Sequence, residues 1–145
     1  MGDFAKEINS SFQNQKIKAL LNLKYTASWL DHIGAEMLKP YNISEQQYNI
    51  LRILRGAAKE ITVTEVKERM IQKSPNTTRL MDKLCEKKLI DRSRCESDRR
   101  VVFVKINKKG LNLLERINMS DFDTYINRLT EEEAKILNQL LDKLR

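Results

Sequence analysis

Toward the N-terminus, apolar residues recur at spacings of three and four: Phe4, Ile8 and Phe12, then Ile17, Leu20 and Leu21, then Trp29, Leu30, Ile33, Met37 and Leu38. That is the helical period rather than the alternation of a strand. It stops at Lys39-Pro40, because proline cannot continue the hydrogen-bond ladder and pushes the preceding residue out of the helical region. The pattern predicts a long helix, or a helix pair, ending near Leu38. So apolar a stripe needs a partner, and the simplest one is the same stripe on a second chain.

The middle of the chain is denser in short elements. Ser44-Glu45-Gln46-Gln47 has the spacing of a capping box, and Tyr48, Ile50, Leu51, Ile53 and Leu54 give the helix it opens a broad buried face that fades at Arg55-Gly56, where glycine permits a left-handed cap. Ile61-Thr62-Val63 is a short β-prone piece. Thr64 is read as the cap of a helix over 65–71, with Val66, Met70 and Ile71 inward. Gln72-Lys73 is a turn, and Ser74 is read as the cap of the next helix with Pro75 in its first position, where a missing amide costs nothing. Thr77, Leu80, Met81 and Leu84 form that helix's core face, while Pro75, Asn76, Thr78 and Arg79 lie on other faces. Two short helices joined by a turn, the second opening with short polar and cationic side chains, suit end-on entry into a DNA major groove. A well-capped surface helix would look the same.

The segment that follows separates the two readings. Leu89–Arg94 and Val101–Ile106 read as two strands joined by Cys95-Glu96-Ser97-Asp98-Arg99-Arg100. A loop carrying adjacent arginines can reach a minor groove, whose narrow width concentrates negative potential. Asp98, two residues before Arg100, is placed to hold that side chain or a loop amide and so reduce the entropy of ordering the tip. Farther on, Asn107 opens a helix with Leu111, Leu114, Ile117, Phe122 and Tyr125 inward. Thr130-Glu131-Glu132-Glu133 is a capping box for a last helix striped with Ile136, Leu137, Leu140, Leu141 and Leu144.

Charge sharpens this picture. Residues 1–58 hold 7 basic and 5 acidic residues, 59–110 hold 15 and 8, and 111–145 hold 5 and 7, so the excess of +7 lies in the middle segment. Such localisation is what an electrostatic footprint on a polyanion produces. The 145 residues, 41% hydrophobic and 32% charged, suit one helix-rich domain. No apolar run reaches the ~20 residues of a membrane span, and Met1–Glu7 lacks the apolar core of a secretory signal, so a cytoplasmic location is expected. Met1-Gly2 opens like a myristoylation site, but Lys6 stands where that pattern needs Ser or Thr, and no lipid is assigned.

In order and in motif the chain resembles the MarR-type transcriptional regulators. Asp98-Arg99-Arg100, five residues, then Ile106-Asn107-Lys108-Lys109-Gly110 is similar to that family's Asp-x-Arg, x5, Leu-Thr-x-x-Gly signature. Residues 78–90 resemble its recognition helix and exit, and 42–48 the entry to its second helix. The resemblance implies a mainly α (α+β) fold: a winged helix-turn-helix lobe over 44–106 with a two-stranded wing, flanked by dimerisation helices in 1–38 and 107–145. It implies a homodimeric DNA-binding regulator, a repressor in which each subunit reads half of a pseudo-palindromic operator in double-stranded DNA. Ser74, Pro75, Asn76, Thr78 and Arg79 would meet the major groove and its phosphates, and Arg100 the minor groove with Asp98 as brace and Arg99 in either role. Asn76 can read adenine and Arg79 guanine by paired hydrogen bonds. It also implies a cleft for a small aromatic or phenolic anion, with Trp29, His32 and Tyr48 as candidates. Two positions depart from the pattern. Lys88 stands where glycine is usual after the recognition helix, and Asn107 replaces threonine as an equally good cap.

Other chemistry is thin. His32 is the sole histidine and has no Cys or second His at ligand spacing, so no metal or cofactor is expected. With neither a phosphate loop nor a nucleophile–base pair, no enzyme activity is expected. Cys85 reads as buried and inert, whereas Cys95, among the wing arginines, is a candidate for a lowered pKa. The alternatives to a DNA-binding regulator are a winged-helix protein-interaction module and a cysteine-based redox sensor.

Overall fold

The structure, a computed structural model, describes residues 2–117 and 120–145, with only the backbone of Asp121; the Met1 half of the Met1-Gly2 reading lies outside them. The N-terminal stripe is a helix pair. The short α1 (Phe4–Glu7) ends where Asn9 turns left-handed, and α2 (Gln15–Leu38) restarts behind an Asn14 cap. Phe4 stacks on Phe12 at 5.7 Å and lies against Tyr25 at 5.4 Å, while Asp3 pairs with Lys18 at 3.2 Å, so α1 folds back along α2. A single 3-10 turn, Lys39–Tyr41, carries Pro40, as the sequence requires.

The central lobe follows. Ser44 and Gln47 close their capping box on α3 (Glu45–Ala57). Gly56 does not end that helix: nothing lies within 4 Å of where its Cβ would be, and the left-handed stop falls instead on Ala58, φ 55°. β1 (Ile61–Thr62) leads into α4 (Val63–Arg69), whose cap is Thr62, not Thr64. The Thr62 hydroxyl accepts from the Glu65 amide, and Glu65 reaches back to the Thr62 amide at 2.7 Å. Because α4 stops at Arg69, Ile71 falls in the turn and is 86% exposed rather than inward. After α5 (Thr77–Glu86), β2 (Ile90–Arg94) and β3 (Val102–Ile106) form the wing, with Arg92 opposite Val104. The sheet has a third strand: β1 pairs with β3, Ile61 opposite Val104, giving the antiparallel order β1-β3-β2 and anchoring the wing's root. Helices α6 (Lys108–Arg116), α7 (Ser120–Ile126) and α8 (Glu131–Leu144) complete the chain.

The hydrophobic core runs from Leu38 to Ile117 and includes fully buried Ile50, Leu51, Leu54, Val66 and Leu84. The terminal helices present the opposite picture. Ile17, Leu20 and Leu21 on α2, and Ile136, Leu137, Leu140 and Leu144 on α8, are exposed, and no residue of α8 is buried. A lobe with its own core thus carries two apolar helix faces that it does not itself cover.

Candidate nucleic-acid interface

The turn between α4 and α5 is fixed by side chains rather than by regular structure. Thr77 is 1% exposed; its hydroxyl donates to the Ser74 carbonyl at 2.7 Å and lies 3.4 Å from the Met70 sulfur, pinning the mouth of α5 to the end of α4. The Ile71 amide donates to Asn49 Oδ1 at 3.1 Å, tying the turn to α3. Ser74 caps this turn rather than the helix. Its hydroxyl accepts from the Asn76 amide at 3.2 Å, and regular helix begins only at Thr77. Pro75 therefore sits in the turn, and the Asn76 side chain, at the N-cap, makes no capping bond. Pro75, Asn76 and Arg79 are exposed, Ser74 and Thr78 half-buried, so the five predicted residues cluster on the open end of α5.

At the wing tip the Cys95 amide donates to the Val101 carbonyl at 3.0 Å, and the Val101 amide to the Asp98 carbonyl at 2.9 Å. Of the two roles open to Asp98, the geometry takes the backbone one: its carboxylate accepts from the Arg100 amide at 2.9 Å. Arg99 and Arg100 are exposed, and neither guanidinium has an ion-pair partner among the described residues. The tip is thus braced through its backbone while both cations stay available to a phosphate or a groove. Sequence reasoning missed the residue joining this wing to α5: Arg92 on β2 pairs with Asp82 on α5 at 2.5 Å. Strand alternation puts Arg92 on the face of the buried Ile90, a signal that the two-residue period does supply.

The candidate ligand residues do not converge. Tyr48 lines a cleft of about 340 Å³ with Asp31, Glu45, Met70 and Phe122, and its hydroxyl accepts from Arg52 at 3.1 Å. Burial, and secondarily Asp31, pushes the Glu45 carboxyl up from its ordinary value. His32 lines a separate pocket of about 320 Å³ beside Met37 and Tyr125. Trp29 lines neither and stands edge-on to Tyr125 at 4.8 Å. Among the described residues, no group of three acidic, His or Cys side chains could hold a metal, and no helix is long and apolar enough to cross a membrane.

The family model for the transcriptional regulators SarA/Rot matches residues 33–117, the span of the central lobe from the end of α2 to the end of α6. The chain belongs to the SarA/Rot family. This SarA/Rot-family chain is 26% identical over 117 residues to the HTH-type transcriptional regulator MhqR of Bacillus subtilis, with 79% of each chain covered. It is 28% identical over 110 residues to the HTH-type transcriptional regulator MgrA of Staphylococcus aureus, covering 75% of this chain and 74% of that one. Its fold matches that of a MarR mutant from E. coli crystallised with operator DNA, with a TM-score of 0.69, 26% identity and 99% of both chains covered. The SarA/Rot regulator is thus a MarR-type winged helix, as its wing motif suggests.

Proposed function

We propose that the chain is a homodimeric regulator that binds a pseudo-palindromic operator and represses transcription until a small molecule releases it. The observation that carries the reading is the pairing of an open, polar α5 mouth with a braced wing whose Arg99 and Arg100 guanidinium groups have no ion-pair partner among the described residues. Asn76 and Arg79, helped by Ser74, Pro75 and Thr78, read or grip the major groove; Arg100 enters the adjacent minor groove, and Asp98 holds the loop that presents it. Dimerisation is supported by the uncovered apolar stripes of α2 and α8, which a two-fold partner would bury and which would set the spacing of the two reading heads. The relatives' names and the operator complex of the MarR neighbour point the same way.

We place the effector in the Tyr48 cleft. Gln72, in the turn before α5, donates to Asp31 on α2 at 3.3 Å, so a ligand there would act on the contact between turn and dimer helix and shift the population of binding-competent spacings by its differential affinity. The lining holds two carboxylates, Asp31 and Glu45, against one guanidinium, Arg52. That balance favours a neutral or cationic aromatic molecule over the phenolic anion implied by the resemblance. The test of the central reading is titration of a duplex selected from a random pool at rising salt. Affinity should fall steeply, with a log–log slope near −0.9 per phosphate neutralised. Weak, flat binding would favour the protein-interaction module instead.

A further inference from the structure

We propose that the Asp82–Arg92 ion pair is a positioning device for recognition: it sets the angle between α5 and the wing so that the major-groove and minor-groove contacts are made together. The inference rests on the DNA-reading roles given above to α5 and the wing. Asp82 lies three residues after Arg79 and four after Thr78, on the same stripe of α5 that carries those side chains. Arg92 lies on β2, two residues along from buried Ile90 and two short of Arg94, on the strand face turned toward α5. Their 2.5 Å contact is the one ion pair linking these two elements among the described residues. Farther back, the wing's root is already tied down without it, because the Asn107 amide group donates to the Lys88 carbonyl and the Asp91 carboxylate, each at 3.1 Å. The root therefore holds the fold, and the pair, one residue farther along β2 than Asp91, ties the outgoing strand to α5. The arrangement also settles a charge conflict. A lone carboxylate on the groove-facing stripe would repel phosphate, and Arg92 neutralises it.

The side chains of Arg92 and Asp82 are 36% and 47% exposed, so the pair contributes little to global stability and its loss leaves the chain folded. The experiment measures affinity for a selected operator and for unrelated duplex in wild type, Asp82→Asn, Arg92→Gln, the exchanged pair Asp82→Arg/Arg92→Asp, and Asp82→Asn combined with Arg100→Ala, with thermal midpoints as a folding control. Either single change should lower the ratio of specific to non-specific affinity by about two- to fivefold, the range an ion pair this exposed can supply. The exchanged pair should recover part of it. In the Arg100→Ala background Asp82→Asn should cost almost nothing further, because a mis-aimed wing no longer matters once its groove contact is gone. Full additivity with Arg100→Ala, or an unchanged ratio, would overturn the proposal. So would an Arg92→Gln loss equal on both duplexes with Asp82→Asn silent, which would make Arg92 a simple phosphate contact. Absence of wild-type DNA binding would instead remove the parent reading, and this one with it.

Discussion

A Cβ placed on Gly110 would stand 2.3 Å from the carbonyl oxygen of Leu89. Gly110 is in the first turn of α6, where its amide donates to the Asn107 side chain at 3.1 Å, and the Leu89 carbonyl accepts from the Asn107 amide at 3.3 Å. The helix after the wing thus sits directly on the backbone that enters it. The glycine of the wing signature is required by that contact rather than by its φ, which is not positive.

Gly110→Ala should accordingly destabilise the fold. Overpacking typically costs about 1–3 kcal/mol, and the ~1 kcal/mol that alanine gains in a helix offsets part of it. Chemical denaturation would read the loss as a lower midpoint; a neutral or stabilising change would mean that α6 can lift off Leu89 freely.

Lys88 gives the opposite prediction. The Leu89 amide donates to the Leu84 carbonyl at 3.0 Å and the Lys88 amide to the Cys85 carbonyl at 2.8 Å, the bond pattern of a Schellman cap. Lys88 occupies its left-handed position, φ 57°. A side chain there costs roughly 1–2 kcal/mol, so Lys88→Gly should raise the denaturation midpoint, reflecting a stability gain on the order of 1 kcal/mol after glycine's larger unfolded-state entropy is subtracted. The gain should appear without a change in the denaturant slope.

Much of this was legible in the chain because local chemistry determines it. Ser44 with Gln47 and Thr130 with Glu133 close the expected capping boxes, and of the two outcomes open where the glycine is missing, another cap geometry or mild strain, Lys88 takes the strained left-handed one. What failed did so where two candidates lay close together or where a period could not see an end. Thr62 and Thr64 flank the first residue of α4, but only Thr62 has a glutamate three residues on, a signal that was present and outweighed by β-propensity. Ile71 extends an apolar pattern past the point where α4 has stopped. The Asp82–Arg92 pair and the separation of Trp29, His32 and Tyr48 depend on packing between elements, which periodicity along one element does not encode.

The Thr62–Glu65 box carries a pH signature. The Thr62 amide, and then its hydroxyl, hold the Glu65 carboxyl below its ordinary value of 4.5. A lowered acid contributes stability that is present above 4.5 and lost as pH falls through the folded value. Glu65→Gln keeps an acceptor but not the charge, so its thermal midpoint should lie below wild type at pH 7 and converge with it as pH falls through the folded value. A gap that stays constant throughout the acid titration would assign the effect to shape instead.

The two cysteines should differ in reactivity. Burial pushes the Cys85 thiol up, whereas a hydrogen bond with Ser97, followed by the Asp98 and Ser97 backbone, lowers Cys95. Iodoacetamide at neutral pH should label Cys95 first, as mass spectrometry of the digested protein would record. Faster labelling of Cys85 would mean that the wing loop does not hold its thiol as described. If Cys95→Ser leaves DNA binding equally sensitive or insensitive to peroxide, the redox-sensor alternative is removed.

The central claim is that the open end of α5 and the arginine wing read DNA as a two-fold pair. The most direct test is selection of bound duplexes from a random pool by wild type and by Arg100→Ala. Wild type should enrich a pseudo-palindrome whose half-sites are centred about one helical turn apart, roughly 10 base pairs, with A/T-rich flanks. Arg100→Ala should keep the half-site core, lose the flank preference and bind on the order of 1–3 kcal/mol more weakly. No enriched sequence with wild type, or identical flanks and affinity with Arg100→Ala, would contradict the account.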